Sequence, residues 1–179
     1  MTAFILPYQP IRYDDPSDIF RSYDPRFPDV AASLIDRIAE ALPGAAVEHI
    51  GSTAIPGCAG KGVIDLMLVY TADDGPPVAA AEAMGFAVYR SRDPFPDERP
   101  VLVGMFPYDR DAFRVHLHLI PAGTQEIEVQ RRFRDRLRAD PALVDAYVAA
   151  KRASLAATPA DSTDYNRGKH AFIEKVIRR

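Results

Sequence analysis

A lone carboxylate inside an aliphatic strand constrains this chain more than any other feature. Residues 47–70 read VEHIGSTAIPGCAGKGVIDLMLVY. A short apolar-leaning run at 45–50 predicts a first strand, and Gly51-Ser52 follows at once. A turn region punctuated by Gly and Pro ends at Lys61-Gly62. The β-branched and aliphatic run 63–70 then predicts a second strand, and its single charge is Asp65. A charge there is costly unless it meets a cation, a metal or water at the strand edge. Asp65 is therefore the first candidate for chemistry, as a metal ligand. It equally fits a strand-end carboxylate paired with Lys61 or an arginine.

The Gly51-Ser52 pair has its own logic. Glycine lets the backbone turn sharply and lets a ligand approach closely. Serine offers a hydroxyl and a backbone N–H, or caps a short helix. Successive N–H groups at such a turn cradle phosphate. A strand, Gly-Ser and a carboxylate on the next strand bring a phosphate cradle and a metal ligand together, which is what nucleotidyl transfer requires.

Gly51-Ser52, twelve intervening residues and Asp65 resemble the signature of the DNA polymerase β-type nucleotidyltransferase superfamily. The longer string EHIGSTAIPG, followed by Lys61-x-x-x-Asp65, resembles the GrpB family of nucleotidyltransferase-like bacterial proteins. YDPRFPDV upstream fits it too, as do His116-Leu117-His118, Phe133-Arg134-Asp135, Tyr165 and Lys169 downstream. The resemblance runs from about Tyr23 to the C-terminus. It implies an α/β (α+β) fold with a nucleotidyltransferase-like mixed sheet, flanking helices and a C-terminal helical segment. It also implies a nucleotide or other phosphorylated small molecule as ligand and Mg²⁺ as cofactor, with Mn²⁺ or Zn²⁺ as alternatives. One departure stands out. The superfamily places a second carboxylate beside the first or two residues on, where this chain has Leu66 and Met67. A two-metal site needs several carboxylates.

Composition narrows the classes. The 179 residues suffice for one domain with a real core. A net charge of −3 gives no nucleic-acid or membrane footprint. One cysteine, Cys58, excludes an internal disulfide framework and fits a reducing, cytoplasmic setting. No apolar stretch approaches the ~20 residues of a membrane span, and MTAFILPYQP lacks the basic start of a signal peptide.

The chain divides into an N-terminal arm (1–23), an α/β core (24–120) and C-terminal helices (121–179), all in one domain. Prolines break the arm, where Tyr8, Ile11, Tyr13 and Phe20 are placed to pin it to the body. Val30, Leu34, Ile35, Ile38 and Leu42 at helical spacing predict a helix that begins near Asp24-Pro25 and stops at Pro43-Gly44. A short helix is expected over 77–84, and strands over 86–90, 101–106 and 112–120, paired as antiparallel hairpins. Helices are expected over 125–138, 141–157 and 164–178.

Other candidates cluster around Asp65. His116 and His118 alternate along a predicted strand and so share a face. They fit metal ligands or an acid–base pair, and equally a solvated strand face. On the resemblance they stand where the superfamily carries its third carboxylate. His49 is a further metal candidate from the first strand. Glu48 points away from His49, so at most one of them faces the site. Ser52 and Thr53 are candidate phosphate ligands, and Lys61 a candidate counter-charge. Arg134 is a candidate phosphate contact on a helix crowded with arginines. Tyr165 and Lys169, four apart on one helical face, fit a nucleotide rim or a helix anchor. Three readings remain open: a Mg²⁺-dependent nucleotidyltransferase acting on an unknown acceptor, a non-catalytic nucleotide- or phosphate-binding module, and a metal-dependent hydrolase built on the histidine pair.

Overall fold

The computed structural model describes residues 2–90, 95–157 and 172–178. Five strands form one mixed sheet: β1 (Ala46–Ile50), β2 (Ile64–Tyr70), β3 (Ala87–Val88), β4 (Val101–Tyr108) and β5 (Asp111–Pro121). Their order is β1-β2-β5-β4-β3. Among these described strands, only the β2–β5 pair is parallel. Helices α1 (Pro16–Ile19), α2 (Phe27–Ala41), α3 (Val78–Ala83), α4 (Gln125–Ala139) and α5 (Pro141–Ala157) surround it, and a further helical stretch, α6, covers 172–177.

Period-two alternation assigns the two faces of the sheet. Leu66 and Leu68 of β2, Val115, Leu117 and Leu119 of β5 and Leu102 of β4 share one face. Val30, Leu34 and Ile38 of α2 and Ala81 of α3 bury it, and together they form the main core. Full burial of one such side chain stabilises by about 1.5–3 kcal/mol. Asp65 and Met67 on β2 and His116 and His118 on β5 are paired partners on the other face. The far end of that face is closed by Ile50, Met67, Ile120 and Ile127, the last from α4. A third cluster joins Ile55 and Cys58 of the loop after β1 to Phe133 and Leu137 of α4, Tyr147 of α5 and Val176 of α6.

Element boundaries differ from the sequence expectation where backbone donors find other partners. Helix α2 starts at Phe27 rather than near Asp24, because the Asp24 carboxylate takes the Arg26 amide at 2.9 Å. The strand expected over 86–90 contracts to Ala87–Val88. The Phe86 amide bonds to Ala81 O at 3.2 Å instead of a neighbouring strand. The hairpin between β4 and β5 tightens to Asp109-Arg110, and both strands lengthen. The helix expected over 164–178 lies largely outside the described residues.

The arm is more deeply built in than its prolines suggest. Ile5 is buried in the main core. It sits against Gly104, where a Cβ would stand 2.1 Å from Ile5 Cγ2, so a strand residue without a side chain makes room for it. Leu6 and Met105 exchange backbone hydrogen bonds of 2.8 and 2.9 Å, and Arg21 and Gly60 exchange bonds of 2.8 and 3.0 Å. Between these staples Asp18 is 5 % exposed. Arg114 of β5 grips it through two bonds of 2.7 and 2.9 Å, and Arg21 adds a third at 2.9 Å. A buried carboxylate is tolerable because it is paired this way.

Candidate functional site

The polar face of the sheet opens into a cleft of about 440 Å³. Gly51, Ser52, Lys61, Asp65, His116 and His118 line it, with Ile11 and Tyr13 from the arm and Lys151 from α5. Ligand clefts run from about 300 to 1,000 Å³, so this one has the size of a small-molecule site.

Asp65 meets both histidines. Its Oδ1 lies 3.2 Å from His118 Nε2 and 3.6 Å from His116 Nδ1. The three side chains offer one ligand atom each, all within 4.8 Å of one another. Parallel pairing sets Asp65 beside His116 and Met67 beside His118, so strand register alone builds the cluster. Aromatic rings wall it. Tyr89 stacks on His116 with centroids 5.7 Å apart, and Phe95 meets His118 edge-on at 6.4 Å. The Tyr8 hydroxyl of the arm lies 3.1 Å from His116 Nε2.

Gly51 holds the turn against this carboxylate. Its φ of 70° and ψ of −169° lie in a region open essentially to glycine. A Cβ there would stand 2.4 Å from Asp65 Oδ2. Ser52 starts a single 3₁₀ turn, Ser52–Ala54, and its hydroxyl is turned toward Gly60. A methyl at Gly60 would meet Ser52 Oγ at 3.4 Å and Lys151 Nζ at 2.9 Å, so this hydroxyl and the lysine flank the same backbone. Lys151 is only 2 % exposed. It bonds to Ala59 O and to Cys58 Sγ and sits 4.5 Å from the Tyr147 ring centroid. Sequence reading passed it over. The signal was present, because Val144, Tyr147 and Lys151 fall at helical spacing and place a charge on the buried stripe of α5.

Other expected residues lie elsewhere. His49 pairs with Leu66, on the opposite face from Asp65, and its Nε2–H donates to Thr53 Oγ1 at 2.9 Å. The cluster of three does not include it. Thr53 is buried, and its hydroxyl donates to Val63 O at 2.9 Å, so it ties the turn together and does not face the cleft. The Lys61 ammonium donates to the Tyr13 hydroxyl of the arm at 2.9 Å. Glu48 shares the face of Asp65 and Met67, yet Arg131 at 2.8 Å and Arg134 at 3.0 Å claim it. The Arg131 guanidinium, with Arg134 beside it, holds the Glu48 carboxyl below the usual range. Arg134 also bonds to Asp135 and to His49 O. It therefore locks α4 to β1 and does not line the cleft. Tyr165 and Lys169 lie outside the described residues.

Burial pushes the His49 imidazole down to about 4, with the Asp65 charge opposing. The unfolded chain, with an imidazole near 6.5, takes up a proton first as pH falls. The His49 contribution to stability is therefore complete above about pH 6.5 and is lost progressively toward pH 4. The loss is on the order of 3 kcal/mol. His49→Gln, which keeps a donor for Thr53, is expected to flatten that part of the curve. Urea unfolding of both proteins at pH 7 and pH 5 checks this, and an equal drop in both would contradict it.

Comparison with known proteins gives the family and the fold. A family described as GrpB protein matches residues 19–179. The chain belongs to the GrpB family. A UPF0157 protein of Halalkalibacterium halodurans is 35 % identical over 161 residues, covering 88 % of this chain and 79 % of the relative. The crystal structure of the conserved protein GrpB from Enterococcus faecalis superposes with a TM-score of 0.71 at 26 % identity, over 89 % of this chain and 95 % of that one. The Cid1 poly(U) polymerase, solved with MgGTP bound, has a TM-score of 0.51 at 12 % identity. This GrpB-family chain covers 45 % of it, with 77 % of its own length aligned. That likeness shows a nucleotidyltransferase-like fold. No helix among the described residues is long and apolar enough to cross a membrane.

Proposed function

We propose that this protein binds a nucleoside triphosphate, or a closely related phosphorylated small molecule, in the cleft and transfers its nucleotidyl group at a single-metal centre. One observation carries the reading: Asp65, His116 and His118 converge beside the Gly51-Ser52 turn on the wall of the same cleft. The turn and the Lys151 ammonium supply donors and charge for phosphate oxygens. The two histidines and Asp65 supply the metal ligands. The fold of the MgGTP-bound polymerase is a second support.

The donor set bears on the ion. Mg²⁺ prefers oxygen ligands in near-ideal octahedral geometry. Leu66 and Met67 are fully buried in the sheet and Glu48 is held by two arginines, so among the described residues no second carboxylate joins the cluster of Asp65, His116 and His118. Two imidazoles and one carboxylate suit Zn²⁺, Mn²⁺ or Fe²⁺ instead. Ligand atoms ~2.1 Å from a tetrahedral metal lie ~3.4 Å apart, close to the 3.2 and 3.6 Å separations found here. This donor set favours a single borderline metal over a pair of Mg²⁺ ions. Such an ion, when bound, polarises a phosphoryl oxygen.

Buried Leu66 and Met67 favour a second reading, a module that binds nucleotide without turnover. A thermal-shift screen with Zn²⁺, Mn²⁺ and Mg²⁺, each with and without nucleoside triphosphates, tests both. Mn²⁺ or Zn²⁺ alone is expected to stabilise, and nucleotide to stabilise further, by about 2.7 kcal/mol at a hundred times its dissociation constant. Pyrophosphate release that requires addition of a mixed pool of hydroxyl- and amine-bearing acceptors to these mixtures marks transfer, the acceptor taking the nucleotidyl group as pyrophosphate leaves. Release of inorganic phosphate instead marks hydrolysis, and stabilisation with neither product marks the binding module. No stabilisation by any pairing of metal and nucleotide would refute the proposal.

A further inference from the structure

We propose that Tyr8, on the N-terminal arm, is a positioning residue of the metal centre: its hydroxyl accepts the Nε2–H of His116 and so keeps Nδ1 bare toward Asp65. This rests on the metal reading above and extends it to a residue upstream of the segment, 19–179, that the family match covers.

The two nitrogens of His116 face different neighbours. Nδ1 looks toward Asp65 Oδ1 at 3.6 Å, and Nε2 toward the Tyr8 hydroxyl at 3.1 Å. A metal shared with Asp65 reaches this ring through Nδ1. A neutral imidazole carries one proton, so Nδ1 is free to ligate only when that proton sits on Nε2. The acceptor placed there is the Tyr8 oxygen. A phenolic hydroxyl donates or accepts, and it turns to accept once Nδ1 is committed. The hydrogen bond fixes ring orientation and raises ligand basicity, the usual task of the partner behind a metal-bound histidine.

The arm is built to hold Tyr8 at that point. The Leu6–Met105 bridge pins the chain two residues before it, with bonds of 2.8 and 2.9 Å. Arg114 pins the chain just after it, donating to Gln9 O at 2.8 Å. Arg114 lies two residues before His116 on the same strand, so a single stretch of β5 carries both the ligand and the clamp for its partner. Tyr89 completes the setting. It stacks on His116 at 5.7 Å and meets the Tyr8 ring edge-on at 6.4 Å.

The test is Zn²⁺ affinity of the full chain, measured by competition with a chromophoric chelator, together with the visible spectrum of the Co²⁺-loaded protein. Tyr8→Phe removes only the hydroxyl. It is expected to weaken Zn²⁺ binding roughly 10- to 100-fold and to shift the Co²⁺ bands, while the metal-free melting temperature stays near that of the parent. A Tyr8→Phe protein that binds Zn²⁺ within twofold of the parent, with the same Co²⁺ spectrum, overturns the role of Tyr8 and leaves the metal site standing. A parent that binds neither Zn²⁺ nor Co²⁺ overturns both. Tyr8→Gln and Tyr8→Leu guard against a purely structural loss. Gln keeps an acceptor and is expected to recover affinity relative to Leu, and equal losses in the two count against the hydrogen bond.

Discussion

Asp65→Asn is expected to weaken metal binding by roughly 10²- to 10³-fold, the scale of removing one charge from a desolvated, hydrogen-bonded pair. The substitution is nearly isosteric. It keeps the contact that Gly51 makes with this side chain and removes the charge that faces both imidazoles. The fold should survive, since the main core lies on the other face of the sheet. Isothermal titration with Zn²⁺ or Mn²⁺ checks the affinity, and melting of the metal-free protein checks the fold. Unchanged affinity in a folded variant would remove Asp65 from the metal site.

Gly51→Ala carries the largest expected cost in stability. The backbone conformation here, φ 70° and ψ −169°, penalises any side chain by about 1–3 kcal/mol. Space makes it worse, since the new methyl would stand 2.4 Å from Asp65 Oδ2 and 2.9 Å from Asp65 Cβ. Asp65 sits in a sheet paired on both sides, so the chain cannot relieve the overlap by a small rotation. Overpacking of this kind adds about 1–3 kcal/mol. The sum is about 4 kcal/mol, read as a fall in the urea midpoint, and the displaced carboxylate should also cost metal affinity. A variant as stable as the parent would show that the turn relaxes, and that Gly51 is not what presses this turn against the carboxylate.

How much of this was legible before the structure depends on the range of the interaction. Alternation within 112–120 placed His116 and His118 on one face, because strand periodicity is local. Their meeting with Asp65 follows from the parallel pairing of β2 with β5. The resemblance suggested that neighbourhood, but only the register sets Asp65 directly opposite His116. Other contacts cross the chain without a periodic trace. Tyr8 reaches His116 across 108 positions, and nothing in a proline-broken arm announces that its hydroxyl ends on a β-strand. The opposite outcome at Glu48 has the same origin. Its face was legible from alternation, but its capture by Arg131 and Arg134 depends on how α4 lies over β1. Thr53 reads as a phosphate candidate because it follows Ser52, and His49 as a metal candidate because it lies on the first strand, close to the turn. The 3₁₀ turn rotates Thr53 inward, where it bonds to Val63 O and receives the His49 ring. Proximity along the chain overstated their reach into the cleft.

The central claim is one metal ion, held by two imidazoles and a carboxylate, facing a bound phosphate chain. Anomalous scattering at the Mn edge, from crystals grown with Mn²⁺ and a non-hydrolysable nucleoside triphosphate, tests it most directly. The account predicts a single strong peak within bonding distance of Asp65, His116 and His118, with phosphate oxygens against the Gly51-Ser52 turn and Lys151. Two metal peaks bridged by Asp65 with the histidines uninvolved, or a nucleotide seated away from this cleft, would contradict it.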